Sequence, residues 1–344
     1  MENFEPKSNS YLVGHDEALN MFLTAYKSNN MHNSWLISGI EGIGKATFAY
    51  KIARFLLSPK NENITSLNIS DNSLTFRQVA SNSHPDLKVI ERDFIKTDKD
   101  KIIKAIKEGD ALDEDELKNL KKSSVIKVDE IRTVNEFLSK KSFDGNWRVV
   151  IIDCADEMNQ NAANALLKVL EEPPAKSMLI LISHNPNKLL PTIKSRCAKI
   201  NLNPLSEDIV ASLLRRYCTE LSEAEVKELA KISSGSIGKA VKYAQNNGLD
   251  LYHKLESLFF ARLDFDIDKA LDLATLATKE EKVWDLIQEL VFKFLSDMIK
   301  SGEKVEELGL AWENVRKIFA ETVSLNMDKK QAIINVITTI CRAL

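Results

Sequence analysis

Cysteine is scarce in this chain of 344 residues: there are four, Cys154, Cys197, Cys218 and Cys341. No two form a C-x-x-C pair and no histidine cluster lies near any of them, so no structural zinc is expected. Two of the four fall inside intracellular-looking nucleotide-binding motifs, which makes reduced thiols the better reading. A basic excess is also missing. The 47 Lys and Arg are set against 50 Asp and Glu, for a net charge of −3 and a pI of about 6.1. The chain therefore lacks the electrostatic footprint of a stand-alone nucleic-acid binder. DNA contact through a few residues inside a larger assembly stays open. No apolar run approaches the ~20 residues of a membrane span. The N-terminal stretch, MENFEPKSNSYLVGHDEAL, is polar and acidic without an apolar signal segment, and a cytoplasmic protein is expected.

What remains is an ordinary soluble composition, 44% hydrophobic and 28% charged, with room for two or three domains of roughly 100–200 residues each. From about residue 10 to 203, short apolar runs alternate with helical patterns. The runs are Ser34-Trp-Leu-Ile-Ser38, Leu87-Lys-Val-Ile90, Val149-Val-Ile-Ile-Asp153 and Met178-Leu-Ile-Leu-Ile-Ser183. Continuous apolar strands separated by helices predict a parallel sheet covered on both faces. Residues 61–83 are polar and residues 97–124 strongly charged, which reads as a solvated insertion with a helix or two.

From residue 204 the strands stop. Ser222-x-x-Glu225 is a capping box ahead of a helix, and a Gly235-Ser236 turn precedes another that runs toward Tyr243. These short helices make a small three-helix unit over 204–247. Beyond it, 248–344 is all helical. Thr278-x-x-Glu281 predicts a second capping box. After it Val283, Trp284, Ile287, Leu290, Val291, Phe294, Leu295 and Met298 recur at helical steps until Gly302. A stripe that wide calls for a partner helix on each side, hence a helical bundle.

The chemistry-bearing motif is Gly39-Ile-Glu-Gly-Ile-Gly44-Lys45, which follows a predicted strand and opens a predicted helix over 46–57. That context marks a phosphate-binding P-loop rather than a chance glycine-rich turn. Glycines let backbone N–H groups curl around phosphate oxygens, and Lys45 adds charge toward them. The residue after the lysine should be Ser or Thr, whose hydroxyl ligates Mg²⁺; here it is Ala46. Thr47 comes one place later, rotated by about 100° on the helix. The strand ending in Asp153 reads as the acidic metal-side strand of such a site, yet Cys154 follows where a carboxylate would orient the attacking water. Gly39, Gly42, Gly44, Lys45, Thr47 and Asp153 are thus the candidate nucleotide-binding residues. ATP is the cofactor the motif calls for.

Further on, Asn164-Ala-Leu-Leu-Lys-Val-Leu-Glu-Glu-Pro-Pro174 and Ser195-Arg196-Cys197 resemble the clamp-loader branch of the AAA+ ATPases. Val13-Gly-His-Asp16 and the segment His32-Asn-Ser-Trp-Leu-Ile37 fit the same branch. Within it, His84-Pro-Asp-Leu87 and Val128-Asp-Glu-Ile-Arg132 resemble the delta-prime subunits of bacterial DNA polymerase III. The motifs span residues 13–240 in the correct order. The resemblance implies an AAA+ domain over 1–203, a helical lid over 204–247 and a C-terminal collar over 248–344.

It also implies that Arg196 is a finger acting in trans, delivered to the γ-phosphate in a neighbouring subunit, a contribution of ~10³–10⁵ in rate. The plainer alternative for Arg196 is an intramolecular salt bridge at a strand end. Motor subunits place an ATP-sensing arginine in the helix after Gly-Ser, whereas this chain has Gly238, with Lys239 beside it. The four-cysteine zinc module of many family members is absent, since residues 46–125 hold no cysteine. Together Ala46, Cys154 and Gly238 point to a non-motor subunit with absent or weak ATPase. Such a subunit belongs to the polymerase III holoenzyme, with gamma/tau and delta as neighbours and the sliding clamp and primed DNA within the assembly. The competing expectation is an active AAA+ ATPase such as the gamma/tau motor.

Overall fold

The computed structural model describes residues 4–28, 31–59, 64–108, 120, 122–143 and 146–344. It divides into two compact units, Met1–Ile209 with Gly235–Gly238, and Val210–Ser234 with Lys239–Leu344.

The first unit runs α1 (Asp16–Lys27), β1 (Ser34–Ser38), α2 (Lys45–Leu57), α3 (Leu74–Ala80), β2 (Leu87–Ile90), α4 (Lys96–Glu108), α5 (Val128–Ser139), β3 (Arg148–Ile152), α6 (Gln160–Glu171), β4 (Ser177–Ser183), the single turn α7 (Pro191–Lys194) and β5 (Ala198–Asn201). The strands form one parallel sheet in the order β2-β3-β4-β1-β5.

Because side chains alternate along a strand, β1 and β4 feed two cores. Trp35, Ile37, Ile180 and Ile182 meet Phe22, Phe48 and Ile52 of α1 and α2 on one face. Leu36, Leu179 and Leu181 meet Ile131, Val134, Leu166 and Leu170 of α5 and α6 on the other. The sheet covered on both faces that the apolar runs predict is therefore present. β5 escapes such a reading. It is a short edge strand in which Ile200 is buried between exposed Lys199 and Asn201, so it carries no apolar run. In the charged stretch, α4 supplies one helix; residues 109–119 and 121 lie outside the described part.

The second unit is helical. It takes in α8 (Glu207–Tyr217) from Val210, α9 (Glu223–Ile232), α10 (Ile237–Gln245) from Lys239, α11 (Gly248–Phe260), α12 (Ile267–Lys279), α13 (Glu281–Ser301), α14 (Val305–Ser324) and α15 (Lys329–Ala343). The box ahead of α9 forms as expected: the Glu225 amide donates to Ser222 Oγ at 3.3 Å and the Ser222 amide to Glu225 Oε2 at 2.8 Å.

The box expected at Thr278 and Glu281 does not form. Thr278 sits inside α12 and donates its hydroxyl to the Thr275 carbonyl at 2.8 Å. A threonine that bonds back within its own helix is not free to cap the next one, and α13 starts from Glu280 with no side-chain cap. Its apolar stripe is buried as read, from Trp284 to Leu295, against neighbours on α11, α12 and α14. Trp284 meets Phe319 edge-on at 5.4 Å and Phe294 meets Phe259 at 4.7 Å. Gly302 closes α13 at a φ of 85°.

Candidate functional site

The loop over residues 39–44 links β1 to α2, as the motif requires. Gly39, Gly42 and Gly44 all have positive φ (149°, 77° and 101°), the conformations that let a loop curl its N–H groups inward. The protein's own donors hold that curl from outside. Lys45 Nζ donates to the Gly39 and Ile40 carbonyls at 2.8 and 2.6 Å. Ser236 Oγ donates to the Glu41 carbonyl at 2.7 Å, and the Gly238 amide to the Gly42 carbonyl at 2.8 Å. Buried His15 donates Nε2–H to the Ile43 carbonyl at 2.7 Å. Five successive carbonyls are thereby satisfied. Burial pulls the Lys45 pKa down to about 8, against the opposing pull of Asp153 and Glu41.

Asp153 follows the last residue of β3. It accepts the Cys154 amide on Oδ1 at 3.0 Å, and its burial raises the carboxyl pKa while His184 works against that rise. Cys154 has a left-handed backbone, φ 55°, and a thiol whose pKa burial pushes up, so it stays protonated and offers no base.

Two nearby carboxylates are already engaged. Asp156 accepts the His184 and Asn185 amides at 3.0 and 3.1 Å. Glu157 pairs with Arg92 Nε at 3.0 Å.

Beside Asp153 lies a cavity of 190 Å³, lined from α2 by Ala46 and Tyr50 and from the N-terminal strap by Glu5, Pro6 and Lys7. That is smaller than the roughly 300–1,000 Å³ of pockets that enclose small ligands. The α2 residue facing the acidic strand end is thus a methyl group, with a phenol one turn on. Thr47 is buried on α2 and does not line this cavity. The strap is pinned by Arg54, whose Nη1 and Nη2 donate to the Lys7 and Asn9 carbonyls at 3.0 and 2.8 Å. Arg54 is 2% exposed and stacks on Phe76 at 4.7 Å. Among the described residues, a P-loop of the right shape is thus accompanied by a metal side with no Ser or Thr hydroxyl, with the other lining carboxylates Glu5 and Glu91 paired with Lys7 and Lys122, and with a strap across it. These residues do not fit a Mg²⁺–ATP complex.

Sequence reasoning missed the strap, His15 and Tyr50. Tyr50 was findable: four residues after Ala46, it shares that residue's helix face. Nothing in the strap's composition announces its position.

Gly238 has a role of its own. A Cβ on it would lie 2.7 Å from Gly42 Cα, and one on Gly42 would lie 2.4 Å from Ser236 Oγ. Backbone packs on backbone here, and an arginine at 238 has no room.

Arg196 lies apart, between α7 and β5. Its Nη2 pairs with Glu171 Oε1 at 2.9 Å and its Nη1 donates to the Thr192 carbonyl at 3.0 Å. The intramolecular salt bridge weighed as the plain alternative is thus present. Even so, the side chain keeps 35% exposure, and such pairs contribute only ~0–1 kcal/mol to folding. Neighbouring Cys197 is buried in the α6-side core with its thiol pKa pushed up to about 12, a packing residue.

The family described as "DNA polymerase III, delta subunit" matches residues 14–206, a span that holds the P-loop, Asp153 and Arg196. A DNA polymerase III subunit delta' from Pseudomonas aeruginosa is 44% identical over 112 residues, 32% of this chain and 34% of that protein. A DNA polymerase III subunit gamma from Buchnera aphidicola subsp. Schizaphis graminum is 25% identical over 318 residues, 91% of this chain and 75% of that one. Among solved structures, a DNA polymerase III gamma subunit-related protein from Thermotoga maritima aligns over 93% of this chain and 98% of its own, with 18% identity and a TM-score of 0.41.

Proposed function

The chain belongs to the DNA polymerase III delta-subunit family, and from that premise we propose that it is a non-motor subunit of the clamp loader, of the delta-prime kind. It helps to place a sliding clamp on primed DNA without turning over ATP itself. Arg196 is its contribution to catalysis, offered across an interface to the ATP site of a neighbouring gamma/tau subunit, with delta as a further neighbour.

One observation carries this reading: Ala46 and Tyr50 face Asp153 across a small, strapped cavity. An ATPase of this design needs a metal ligand after the lysine and a carboxylate to orient water, each worth several kcal/mol of transition-state stabilisation. This chain has neither, and Gly238 removes the sensor as well. Arg196, by contrast, is partly exposed and held by weak contacts.

The second reading, a gamma/tau-type motor, draws support from the gamma relative aligned over 91% of the chain and from the intact curl of the loop. Turnover separates the two. The purified chain is expected to show no ATP hydrolysis, alone or with clamp and primed DNA; robust turnover by the lone chain makes it a motor. In a reassembled loader, Arg196→Ala is expected to lower DNA- and clamp-stimulated ATPase at least tenfold with assembly intact. Unchanged turnover removes the finger role.

A further inference from the structure

Ser195, Arg196 and Cys197 divide one local task between them. Ser195 Oγ and Arg196 Nη1 both donate to the Thr192 carbonyl, at 3.1 and 3.0 Å, and so close the single turn of α7. The Arg196 amide donates to the Ile193 carbonyl at 3.1 Å. Ile193 and Cys197, on either side of the arginine, are 0% and 7% exposed in one core with Leu166 and Leu170 of α6. Glu171 is the next residue after Leu170 and the last of α6, before Pro173 and Pro174 stop the helix. The backbones of Arg196 and Glu171 are thereby anchored in the same packed layer. Only their two side chains reach out, half-exposed, to meet at 2.9 Å.

An arginine side chain has many rotamers to lose, and a guanidinium held in advance spends less of its binding energy on ordering. One Nη1–H is hydrogen-bonded to the Thr192 carbonyl and Nη2 is ion-paired with Glu171; a guanidinium carries five N–H donors, so others remain for an incoming anion. The pair adds little to folding because it is exposed, so stability does not account for its geometry. We propose that Glu171 is the positioning residue of Arg196: with the Thr192 carbonyl, it fixes the direction in which the guanidinium leaves the surface before a neighbour's phosphate engages it. The proposal rests on the finger reading of Arg196.

The test uses a loader reassembled from its ATPase subunits and the full-length chain, with clamp and primed DNA, and reads kcat and KM for ATP. Glu171→Ala is expected to lower kcat three- to tenfold with KM unchanged. Glu171→Gln, which keeps a neutral acceptor, is expected to recover part of that loss. On the Arg196→Ala background Glu171→Ala is expected to add nothing, and the melting temperature of the chain is expected to hold in every variant. If Arg196→Ala is impaired while Glu171→Ala matches the unmodified loader, positioning is overturned and the finger stands. If the two losses multiply, Glu171 acts elsewhere and positioning is again overturned. If Arg196→Ala itself has no effect, the finger reading fails and takes this proposal with it.

Discussion

At the scale of single residues, the histidine–proline–aspartate segment before β2 has a structural explanation. Asp86 pairs with Arg148 Nε at 3.1 Å with both side chains nearly buried, and its Oδ2 accepts the Phe143 amide at 2.9 Å. Arg148 also donates to the Phe137 and Lys140 carbonyls at 2.5 and 2.8 Å and lies 4.1 Å over the Phe137 ring. Removing one partner of a buried pair strands the other charge, at a cost of about 3–5 kcal/mol. Asp86→Ala is expected to destabilise the first unit by about 3 kcal/mol, the low end, because Arg148 keeps its two carbonyls. Urea denaturation measures this as a lower midpoint at an unchanged slope.

His15 gives a pH dependence with a definite sign. Burial lowers its pKa in the folded chain, so as pH falls through the ordinary value of about 6.5 the unfolded chain takes up a proton that the folded one resists. Its contribution is complete above pH 6.5 and is lost as pH drops through the lowered folded value. His15→Gln keeps an N–H donor toward the Ile43 carbonyl and does not titrate. The variant is expected to lose part of the decline in stability between pH 7 and 5; an unaltered pH profile refutes the assignment.

At the scale of elements, legibility follows from how local the governing contacts are. β1, β3 and β4 were readable because strands buried on both faces are near-continuous apolar runs, and edge strand β2 was readable from Leu87, Val89 and Ile90 despite Lys88. The P-loop was readable because its strand, glycines, lysine and helix are consecutive. β5 was not, since one buried isoleucine makes no pattern. The Thr278 box misled because two helices meet there with no loop between them, and the threonine serves the earlier one. The contact between the P-loop and residues 235–238 joins groups 195 positions apart, and a single sequence carries no signal for that pairing. The strap belongs to the same class: Arg54 on an amphipathic helix reads as a surface charge, and only the fold reveals it buried against carbonyls.

Two glycines separate packing from helix propensity. Gly238, the second residue of α10, has Gly42 Cα 2.7 Å from where its Cβ would stand, whereas Gly309 in α14 has nothing within 4 Å. Backbone cannot yield as a flexible side chain does, so Gly238→Ala is expected to cost about 1–3 kcal/mol by overpacking. Gly309→Ala is expected to stabilise by about 0.5–1 kcal/mol, since alanine is the better helix former. Paired melts of the two variants read the difference as shifts of opposite sign.

At the scale of the whole molecule, the question is whether a retained P-loop still draws nucleotide. Binding to the folded chain alone stabilises it by RT ln(1 + [L]/Kd), about 2.7 kcal/mol at a hundredfold excess over Kd. For a unit of roughly 200 residues that is about 5–10 °C in melting temperature. A functional P-loop with a Kd near 10 µM would therefore announce itself clearly in 1 mM Mg²⁺–ATP. Here Lys45 must first leave the Gly39 and Ile40 carbonyls. The strap residues 5–7 must lift from the cavity beside Asp153, and Ala46 then presents no oxygen to the metal. Each step subtracts from affinity and none is returned by a sensor at Gly238. The expected shift is below about 1 °C, and Lys45→Ala in a reassembled loader is expected to leave ATP turnover unchanged while Arg196→Ala lowers it. A shift above about 5 °C that Lys45→Ala abolishes would mean that the cradle still holds nucleotide, and the chain would then be an ATP-bound partner in the ring rather than a scaffold shaped like one.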